Sequence, residues 1–340
     1  MKYWVFILLL LPALILGACG KDVEDPEPNG SDIVDDDPPS GPFSVKVATY
    51  NVLKPGGRIE EMSLAKAEVQ KALGDAIIGT GASLIGFNEL DSDCLSNGRY
   101  PLAEICSSLP VNWKWSLNWP NDIHADYTVG YSYSNGFAYD RLVLYLEDSG
   151  YVWLSKEQDL WYTDSKKAYL NVGSPERTCV WARFRHQETG GRFYFFVSHM
   201  PTEKQGGGEN MAAVLNRFTK EKAGNLPMVL CGDMNSAPGA NEAVYNKLKT
   251  CWTDAYETVG KAGALGTYST YSGTLSGSSS SYHYSLETFT KGHPERRIDH
   301  IFTQGECTAR SYATVKTTYS ASDGVRCPSD HLPVVVDIDF

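Results

Sequence analysis

Chemically versatile side chains stand at the ends of several apolar segments of this sequence. Carboxylates and carboxamides supply the oxygen ligands that hard cations prefer, while carboxylates and imidazoles can move the proton of an attacking water. The residues concerned are Asn51, Glu89, His199, Asp233, Asn235, Asp299, Asp330 and His331. Together these residue types favour metal or phosphate chemistry at a place where strand ends converge.

Each of these residues taken alone also has a structural interpretation. The segment Gly232-Asp233-Met234-Asn235 is a plausible turn, because Asp and Asn side chains bond their own backbone. Glu89 could be a charge at the rim of the fold, and His199 could be a buried histidine with satisfied hydrogen bonds. Asp299 could anchor a neighbouring arginine. The hypothesis of a catalytic site therefore depends on their combination and order.

Strand-like and helix-like segments alternate along the chain and are predicted to position these groups. The period-two pattern from Ser44 to Asn51 predicts a strand. Apolar residues at three- and four-residue spacing from Met62 to Ile77 predict an amphipathic helix. A second strand is predicted at 83–87, and later strands at 141–146, 178–184, 193–198, 228–231, 298–302 and 334–340, with a helix at about 209–223. The pattern indicates one α/β domain over 43–340, with a long surface loop at 266–284.

The composition excludes some classes of protein. With 340 residues, 42% hydrophobic and 21% charged, the chain is too apolar for an intrinsically disordered protein. The formal net charge is −11, of which the body from Phe43 carries −5. A mildly acidic body disfavours a stable nucleic-acid complex but leaves a phosphoester substrate open. We expect a monomer.

The first 42 residues have the pattern of an export signal and a tether. Residues 1–18 contain an apolar run too short to span a bilayer, which predicts a signal peptide. Leu16-Gly17-Ala18-Cys19 resembles a bacterial lipobox, which implies lipidation of Cys19 and a membrane anchor; the alternative is an ordinary signal peptide. Residues 19–42 hold eight acidic residues and one basic residue, which predicts a disordered tether.

These features place the protein in the bacterial cell envelope, with a lipid anchor in the outer membrane. The acids after Cys19 also resemble the surface-export signal of Bacteroidetes lipoproteins, which implies surface exposure. Export permits disulfides. Seven cysteines follow Cys19, and the pairs Cys94–Cys106 and Cys307–Cys327 are our interpretation of their positions, whereas Cys179 and Cys231 are predicted to be buried thiols, since both lie in apolar runs.

Six motifs, in order, resemble those of the endonuclease/exonuclease/phosphatase superfamily. They are Thr49-Tyr50-Asn51-Val52, Phe87-Asn88-Glu89-Leu90, Ser198-His199, Gly232-Asp233-Met234-Asn235, Arg297-Ile298-Asp299-His300-Ile301 and Ser329-Asp330-His331-Leu332-Pro333. The resemblance covers essentially everything from Val45 to Phe340. It implies a deoxyribonuclease-like, four-layer αββα sandwich, in which two packed mixed β-sheets are flanked by helices and the site lies at one end.

The resemblance also implies a function, that of a metal-dependent phosphodiesterase or phosphatase. A phosphoester oxyanion needs a hard cation, so Mg²⁺ (or Mn²⁺) is expected. Glu89 is expected to bind it, with Asn51 helping through its amide oxygen and Asp330 supplying a further carboxylate.

The remaining site residues are implied to act on water and phosphate. Asp233 orients and deprotonates the attacking water, and Asn235 fixes that water or a phosphate oxygen. Asp299 holds the imidazole of His331, which when protonated stabilises the transition-state charge. The last sites implied are His199, at a phosphate or leaving-group oxygen, and Arg177, as a positive charge for phosphate. Whether Asp233 or a histidine is the general base stays open.

The sequence also departs from the superfamily pattern. Some members carry an Asp two residues after the first Asn, where this chain has Leu53. Many carry a Glu shortly before the strand around Phe137, where it supports the first histidine, and this chain has Tyr133-Ser134-Asn135 there. His199 therefore lacks its usual partner. The alternative hypothesis is a non-catalytic surface lipoprotein that binds a ligand and retains the fold.

Overall fold

A computed structural model describes residues 41–53, 67–90, 101–116, 134–154, 177–239, 241–259, 297–321 and 324–340, together with residues 267, 286 and 289. The predicted signal peptide and nearly all of the predicted tether lie outside these ranges, so both stay predictions. In the part of the chain that the structure describes, no helix is long and apolar enough to cross a membrane.

Strands and helices alternate over these ranges. In chain order they are β1 (Ser44–Asn51), α1 (Ala67–Thr80), β2 (Leu84–Leu90), α2 (Pro101–Cys106), β3 (Trp113–Ser116), β4 (Ser134–Asp140), β5 (Leu144–Trp153), β6 (Thr178–His186), β7 (Arg192–Ser198), α3 (Gly208–Ala223), β8 (Met228–Asp233), α4 (Glu242–Lys249), β9 (Thr253–Asp254), α5 (Ala255–Thr258), β10 (Asp299–Gln304), β11 (Thr308–Ala309), β12 (Ala313–Thr314), β13 (Tyr319–Ala321), β14 (Gly324–Arg326) and β15 (Val334–Asp339).

Two mixed sheets contain most of these strands. The first sheet has the order β11-β15-β1-β2-β4-β3, with β12 also paired to β15, and the second has the order β5-β6-β7-β8-β10-β9. Each sheet has one parallel pair at its centre, β1 with β2 and β7 with β8. Because parallel neighbours need a crossover connection, α1 joins the first pair and α3 joins the second.

The hydrophobic pattern of the strands explains the layering. In β1, Val45 and Val47 belong to the core between the two sheets, whereas Ala48 and Tyr50 belong to the core under α1. This alternation is the period-two pattern of a strand that is buried on both faces. On the other side, α3 packs apolar residues such as Leu215 against the second sheet. The result is the predicted four-layer αββα sandwich.

Several sequence predictions agree closely with these bounds. The strand at 44–51 is confirmed, and the helix predicted at about 209–223 begins one residue earlier. The strand predicted at 141–146 is displaced, since residues 141–143 form a turn and β5 runs on to Trp153. Of the predicted surface loop at 266–284, only Thr267 is described, and its side chain is completely buried.

The cysteine pairing was predicted wrongly. Cys307 and Cys327 are both free thiols, and Cys106 is also a free, buried thiol. Cys94, its proposed partner, lies outside the described ranges. Cys179 and Cys231 are buried free thiols, as their apolar surroundings predicted.

Candidate active site

The polar residues predicted to do chemistry converge at one end of the sandwich. Asn51 is the last residue of β1 and lies beside Asn88 of β2. Asp233 ends β8 and pairs with Asp299, the first residue of β10. Because parallel strands place their carboxyl ends at one edge, the sheet topology itself brings these groups together.

Glu89 reaches the site because β2 is irregular at this point. Successive side chains of a regular strand point to opposite faces. The pairing of β2 with β4 shifts register between Phe87 and Leu90, and Glu89 has a left-handed backbone with φ 56°. The side chain of Glu89 lies near those of His199 and Asp233, and the adjacent Asn88 bonds the Asp233 N–H. A left-handed conformation at a non-glycine residue costs about 1–3 kcal/mol, which the surrounding contacts must offset.

The amide of Asn51 joins two carboxylates that come from different sheets. Its Nδ2 donates to Oε1 of Glu89 at 3.2 Å and to Oδ2 of Asp233 at 3.0 Å. Its Oδ1 accepts the N–H of Leu53 at 3.0 Å. The predicted use of the Asn51 amide oxygen as a metal ligand therefore differs from this arrangement, in which the nitrogen faces the carboxylates and the oxygen stabilises the turn after β1.

Asp233 and Asn235 form the turn that follows β8. Oδ1 of Asp233 accepts the backbone N–H of Asn235 at 2.8 Å, and Asn235 has a left-handed φ of 46°. The Nδ2 of Asn235 donates to the carbonyl of Met200 at 2.8 Å and lies 2.9 Å from Nε2 of His199. Nε2 of His199 is 3.3 Å from Oδ2 of Asp233. The turn predicted for this segment thus also brings three predicted site residues into contact.

Asp299 and His331 form a buried pair next to Asp233. Nδ1 of His331 lies 2.7 Å from Oδ2 of Asp299, while its Nε2 lies 3.7 Å from Oδ2 of Asp233. Oγ1 of Thr267 accepts the N–H of Asp299 at 3.1 Å, and its carbonyl accepts the N–H of Leu332 at 2.9 Å. Thr267 therefore connects the two backbone segments that carry the pair.

The surroundings of the Asp299–His331 pair favour a proton on the imidazole. Burial alone would lower the pKa of His331, but the carboxylates of Asp299 and Asp330 raise it well above 6.5. Burial raises the pKa of Asp299, although His331 opposes the rise. The pair therefore keeps a proton at neutral pH, with Nδ1–H bonded to Asp299 and Nε2–H directed toward Asp233.

The other titratable groups differ in charge. Burial, with the positive charge of Arg177, lowers the pKa of His199 below 6.5. Burial would raise the pKa of Asp233, but the contact with His199 and the positive charge of His331 lower it below its usual range. Burial and the neighbouring acids Glu89, Asp233 and Asp299 raise the pKa of Asp330 to about 7. The site thus combines an ionised Asp233 with an Asp330 that is poised to titrate.

The donor set fits a divalent cation. Oxygen atoms of Glu89 and Asp233 lie within 4.8 Å of each other and of a nitrogen of His199, and the same spacing relates Asp233, Asp299 and His331. The bridging amide of Asn51 shows that the Glu89 and Asp233 oxygens converge on one small polar group. A few convergent carboxylates suit Mg²⁺, which keeps several water ligands. Asp330 lies 3.8 Å from Nε2 of His331, at the edge of this group.

Arg177 is buried beside His199, and its Nη2 donates to Oε1 of Gln205 at 3.1 Å. Its positive charge is close enough to lower the pKa of His199. The arginine that precedes Asp299 has another partner: Nη2 of Arg297 lies 2.8 Å from Oδ2 of Asp254. Asp299 is therefore not the anchor of Arg297, while Arg296, the other arginine it could anchor, lies outside the described residues.

Four residues that hold the site together were not predicted from the sequence. They are Asn88, Asn135, Thr267 and Ser329, whose Oγ donates to the Asn51 carbonyl at 2.7 Å and accepts the His331 N–H at 3.1 Å. Asn88 and Ser329 lie inside the motifs, so their positions gave a signal. Nothing local marked Thr267, because its contacts are formed only by the tertiary fold.

Comparison with known proteins gives a family match. A sequence profile described as "Endonuclease/Exonuclease/phosphatase family" matches residues 48–331, which includes every site residue discussed above. No curated protein sequence matches the chain significantly.

Solved structures share the fold. A Bacteroides thetaiotaomicron endonuclease/exonuclease/phosphatase family protein is 22% identical over 88% of this chain and 99% of its own, with a TM-score of 0.63. A B. thetaiotaomicron mannosyl-6-phosphatase is 22% identical over 87% and 100%, with a TM-score of 0.62. D. rerio TDP2 complexed with single strand DNA product is 14% identical over 87% and 98%, with a TM-score of 0.56. At these identities the similarity shows the fold.

Proposed function

The chain belongs to the endonuclease/exonuclease/phosphatase family, and from that premise we propose that it is a Mg²⁺- or Mn²⁺-dependent phosphoester hydrolase. One observation carries the proposal. The carboxylates of Glu89 and Asp233, from different sheets, meet at the Asn51 amide, and the protonated Asp299–His331 pair lies beside them. An acidic cluster next to a cationic imidazole can hold a metal and a phosphate together.

The residues divide the chemistry among them. Glu89 and Asp233 would hold the cation, with Asp330 at its edge, and the bound cation would polarise a phosphoester oxygen and neutralise developing charge. Asp233, ionised at neutral pH, accepts a hydrogen bond from the attacking water and orients it. Nδ2 of Asn235 already contacts the Met200 carbonyl and Nε2 of His199, so its amide oxygen is the atom that would accept a hydrogen bond from that water. His199 is neutral beside Arg177.

His331 is a donor in this arrangement. Because Asp299 accepts from Nδ1, Nε2–H is the donor on the Asp233 side of the ring, where the phosphate would bind, and a positive imidazole there stabilises the charge of an in-line transition state. The protonated state of His331 and the ionised state of Asp233 support Asp233 as the group that accepts the water proton.

We propose a small phosphoester, such as a sugar phosphate, as the first substrate class to test. The body from Phe43 is acidic, which disfavours binding a long polyanion. A mannosyl-6-phosphatase among the solved structures of the same fold supports this choice. We further propose that Cys19 is lipidated and holds a monomeric enzyme at the outer membrane, on the basis of the Leu16-Gly17-Ala18-Cys19 motif and the acidic segment after it.

Hydrolysis of a phosphoester panel tests the proposed activity. The body 43–340 would be assayed with a chromogenic diester, a monoester, sugar phosphates, inositol phosphates, sphingomyelin and double-stranded DNA, in Mg²⁺ or in chelator. We expect hydrolysis that chelator abolishes and that Glu89→Gln lowers by at least about 10²-fold. Glu209→Gln is the matched control, because Glu209 is an exposed carboxylate on α3 that pairs with Lys247 of α4. Full turnover by Glu89→Gln, or no hydrolysis of any substrate, would refute the proposal.

A further inference from the structure

A buried carboxamide outside the chemistry proposed above joins the two sheets behind the site. Asn88 lies in β2 and is completely buried. Its Oδ1 accepts the backbone N–H of Asp233 at 2.7 Å. Its Nδ2 donates to the carbonyl of Ser198 at 3.1 Å and to Oδ1 of Asn135 at 2.7 Å. The Asn88 side chain thus forms hydrogen bonds to β4, β7 and β8 through both of its amide hydrogens and its oxygen.

The orientation of this amide is fixed by backbone groups. Nδ2 of Asn135 donates to the carbonyl of Thr178 at 2.9 Å, so Asn135 must present its oxygen to Asn88. A backbone carbonyl can only accept and a backbone N–H can only donate. Asn88 therefore presents its nitrogen to Ser198 and Asn135 and its oxygen to Asp233, and flipping either amide would oppose like groups.

The backbone groups that Asn88 bonds belong to, or directly precede, two site residues, Asp233 and His199. Ser198 directly precedes His199, and the N–H of Met200, on its other side, donates to the carbonyl of Asp233 at 2.9 Å. The peptides flanking His199 are thus tied to Asn88 and to Asp233. The side chains end up 3.3 Å apart, from Nε2 of His199 to Oδ2 of Asp233.

The glycine before Asp233 shows how closely these strands approach. A Cβ on Gly232 would lie 1.8 Å from the Ser198 carbonyl oxygen and 3.2 Å from Oδ1 of Asn88. A side chain at position 232 is therefore excluded, and the Asn88 amide lies directly against the backbone of β7 and β8. Direct hydrogen bonds of 3.1 and 2.7 Å join Asn88 to Ser198 and Asp233, so small movements of Asn88 are transmitted to both strand ends.

We propose that Asn88, supported by Asn135, is a positioning residue that sets the separation of the His199 and Asp233 side chains. Its effect on the reaction rate rests on the proposed function. Removing the amide leaves the buried N–H of Asp233 and the carbonyl of Ser198 without these partners. The two strand ends then relax independently. A displacement of about 1 Å between reacting groups can lower a rate about 10²-fold.

The kinetic test compares Asn88→Ala with Asn216→Ala. Asn216 is also a buried amide with contacts on both sides, since it donates to the Lys247 carbonyl at 2.8 Å and accepts from Nε1 of Trp252 at 3.0 Å, but it lies on α3 in the outer layer. We expect kcat of Asn88→Ala on the best substrate to fall about 10²-fold with KM changed less than about 3-fold. Asn216→Ala should lower Tm similarly and keep kcat within about 2-fold.

Amide hydrogen exchange gives a readout that does not need activity. In Asn88→Ala the Asp233 amide should exchange at least about 10-fold faster than in the wild type, while Asn216→Ala should leave it unchanged. Equal exchange at Asp233, or a kcat loss no larger than in Asn216→Ala, overturns the positioning role. A wild type that hydrolyses nothing refutes the proposed function instead, and the exchange result still decides whether Asn88 holds Asp233.

Asn135→Ala provides a second variant in case Asn88→Ala does not fold. It removes only the support behind Asn88 and leaves the bonds to Ser198 and Asp233 possible. We expect the same kind of change, a fall in kcat of about 10-fold with little change in KM and faster exchange at Asp233. Wild-type kcat and wild-type exchange in Asn135→Ala would contradict the proposal.

Discussion

Asp233 receives hydrogen bonds from residues that approach it from several strands. The Asn51 amide comes from the first sheet, and His199 and the Asn235 N–H come from the second. His331 adds a positive charge from a distance of 3.7 Å. These contacts keep the Asp233 carboxylate ionised despite complete burial, so it can accept a hydrogen bond from water over the whole neutral pH range.

Asp330 should make the metal-free protein less stable as the pH rises. Its pKa in the folded protein is raised to about 7, against about 3.9 for an unfolded chain. Between about pH 4 and pH 7 the folded state binds the Asp330 proton more tightly than the unfolded state does. The free energy of unfolding therefore falls as the pH rises through this range. In chelator at pH 8, Asp330→Asn should raise Tm by several degrees, and the difference should vanish near pH 4. A lower Tm for Asp330→Asn at pH 8 would contradict this, as measured by calorimetry.

The hydroxyl of Thr267 is expected to stabilise the backbone segment that carries Asp299, and with it the Asp299–His331 pair. It accepts the N–H groups of Ile298 and Asp299 in a buried position. Thr267→Val keeps the shape and removes the acceptor, so we expect a loss of about 1–3 kcal/mol in unfolding free energy and a lower kcat. Urea unfolding and turnover would be compared with Thr258→Val, because the Thr258 hydroxyl donates to the Asp254 carbonyl at 3.1 Å in a short helix away from the pair. Equal losses in the two variants would contradict the assignment.

Among the elements, the end of β8 requires a glycine at position 232. Gly232 has φ 139°, and a Cβ there would overlap the Ser198 carbonyl. We expect Gly232→Ala to cost more than about 3 kcal/mol and to abolish turnover. Gly224→Ala is the control, since Gly224 also has a positive φ of 59° but nothing lies within 4 Å of its Cβ position. It should cost about 1 kcal/mol, and a similar loss in both variants, measured by denaturant unfolding, would contradict the steric account.

The elements also show what the sequence could predict. β1, the C-terminal part of α1, β7 and α3 follow regular apolar periods, and each was predicted within a few residues. β3 was missed, because a four-residue strand gives no clear period, and β4 was expected only from the family resemblance, as the strand around Phe137. The motifs identified the reactive residues. The bonds of Asn88, Asn135 and Thr267 depend on how two sheets pack, which local sequence does not encode.

At the scale of the whole molecule, the beginning of the domain and the site lie at opposite ends of β1. Phe43 and Phe340 exchange backbone hydrogen bonds at 3.2 and 2.9 Å, and Asn51 lies eight residues further along the strand, about 26 Å away. A tether that ends at Phe43 would therefore direct the site away from its anchor.

This geometry predicts that the tether contributes nothing to turnover. The body 43–340 should match a non-lipidated Cys19→Ala chain within about 2-fold in kcat, because the described chain enters β1 at Ser44, at the end of the strand opposite Asn51 and the site. Membrane fractionation of the full chain should find it with the membrane and find Cys19→Ala in the soluble fraction. A large rate difference between the two soluble forms, or membrane retention of Cys19→Ala, would contradict these expectations.

The proposed hydrolase activity is tested by the metal-dependent rate of phosphate-ester hydrolysis, measured for 43–340 and for Asp233→Asn on the same substrate. The substitution keeps the size of the side chain and removes the charge that orients the water. We predict hydrolysis in Mg²⁺, none in chelator, and a rate about 10²–10⁴-fold lower for Asp233→Asn at unchanged Tm or higher. Equal rates for the two proteins, or hydrolysis that persists in chelator, would contradict the account.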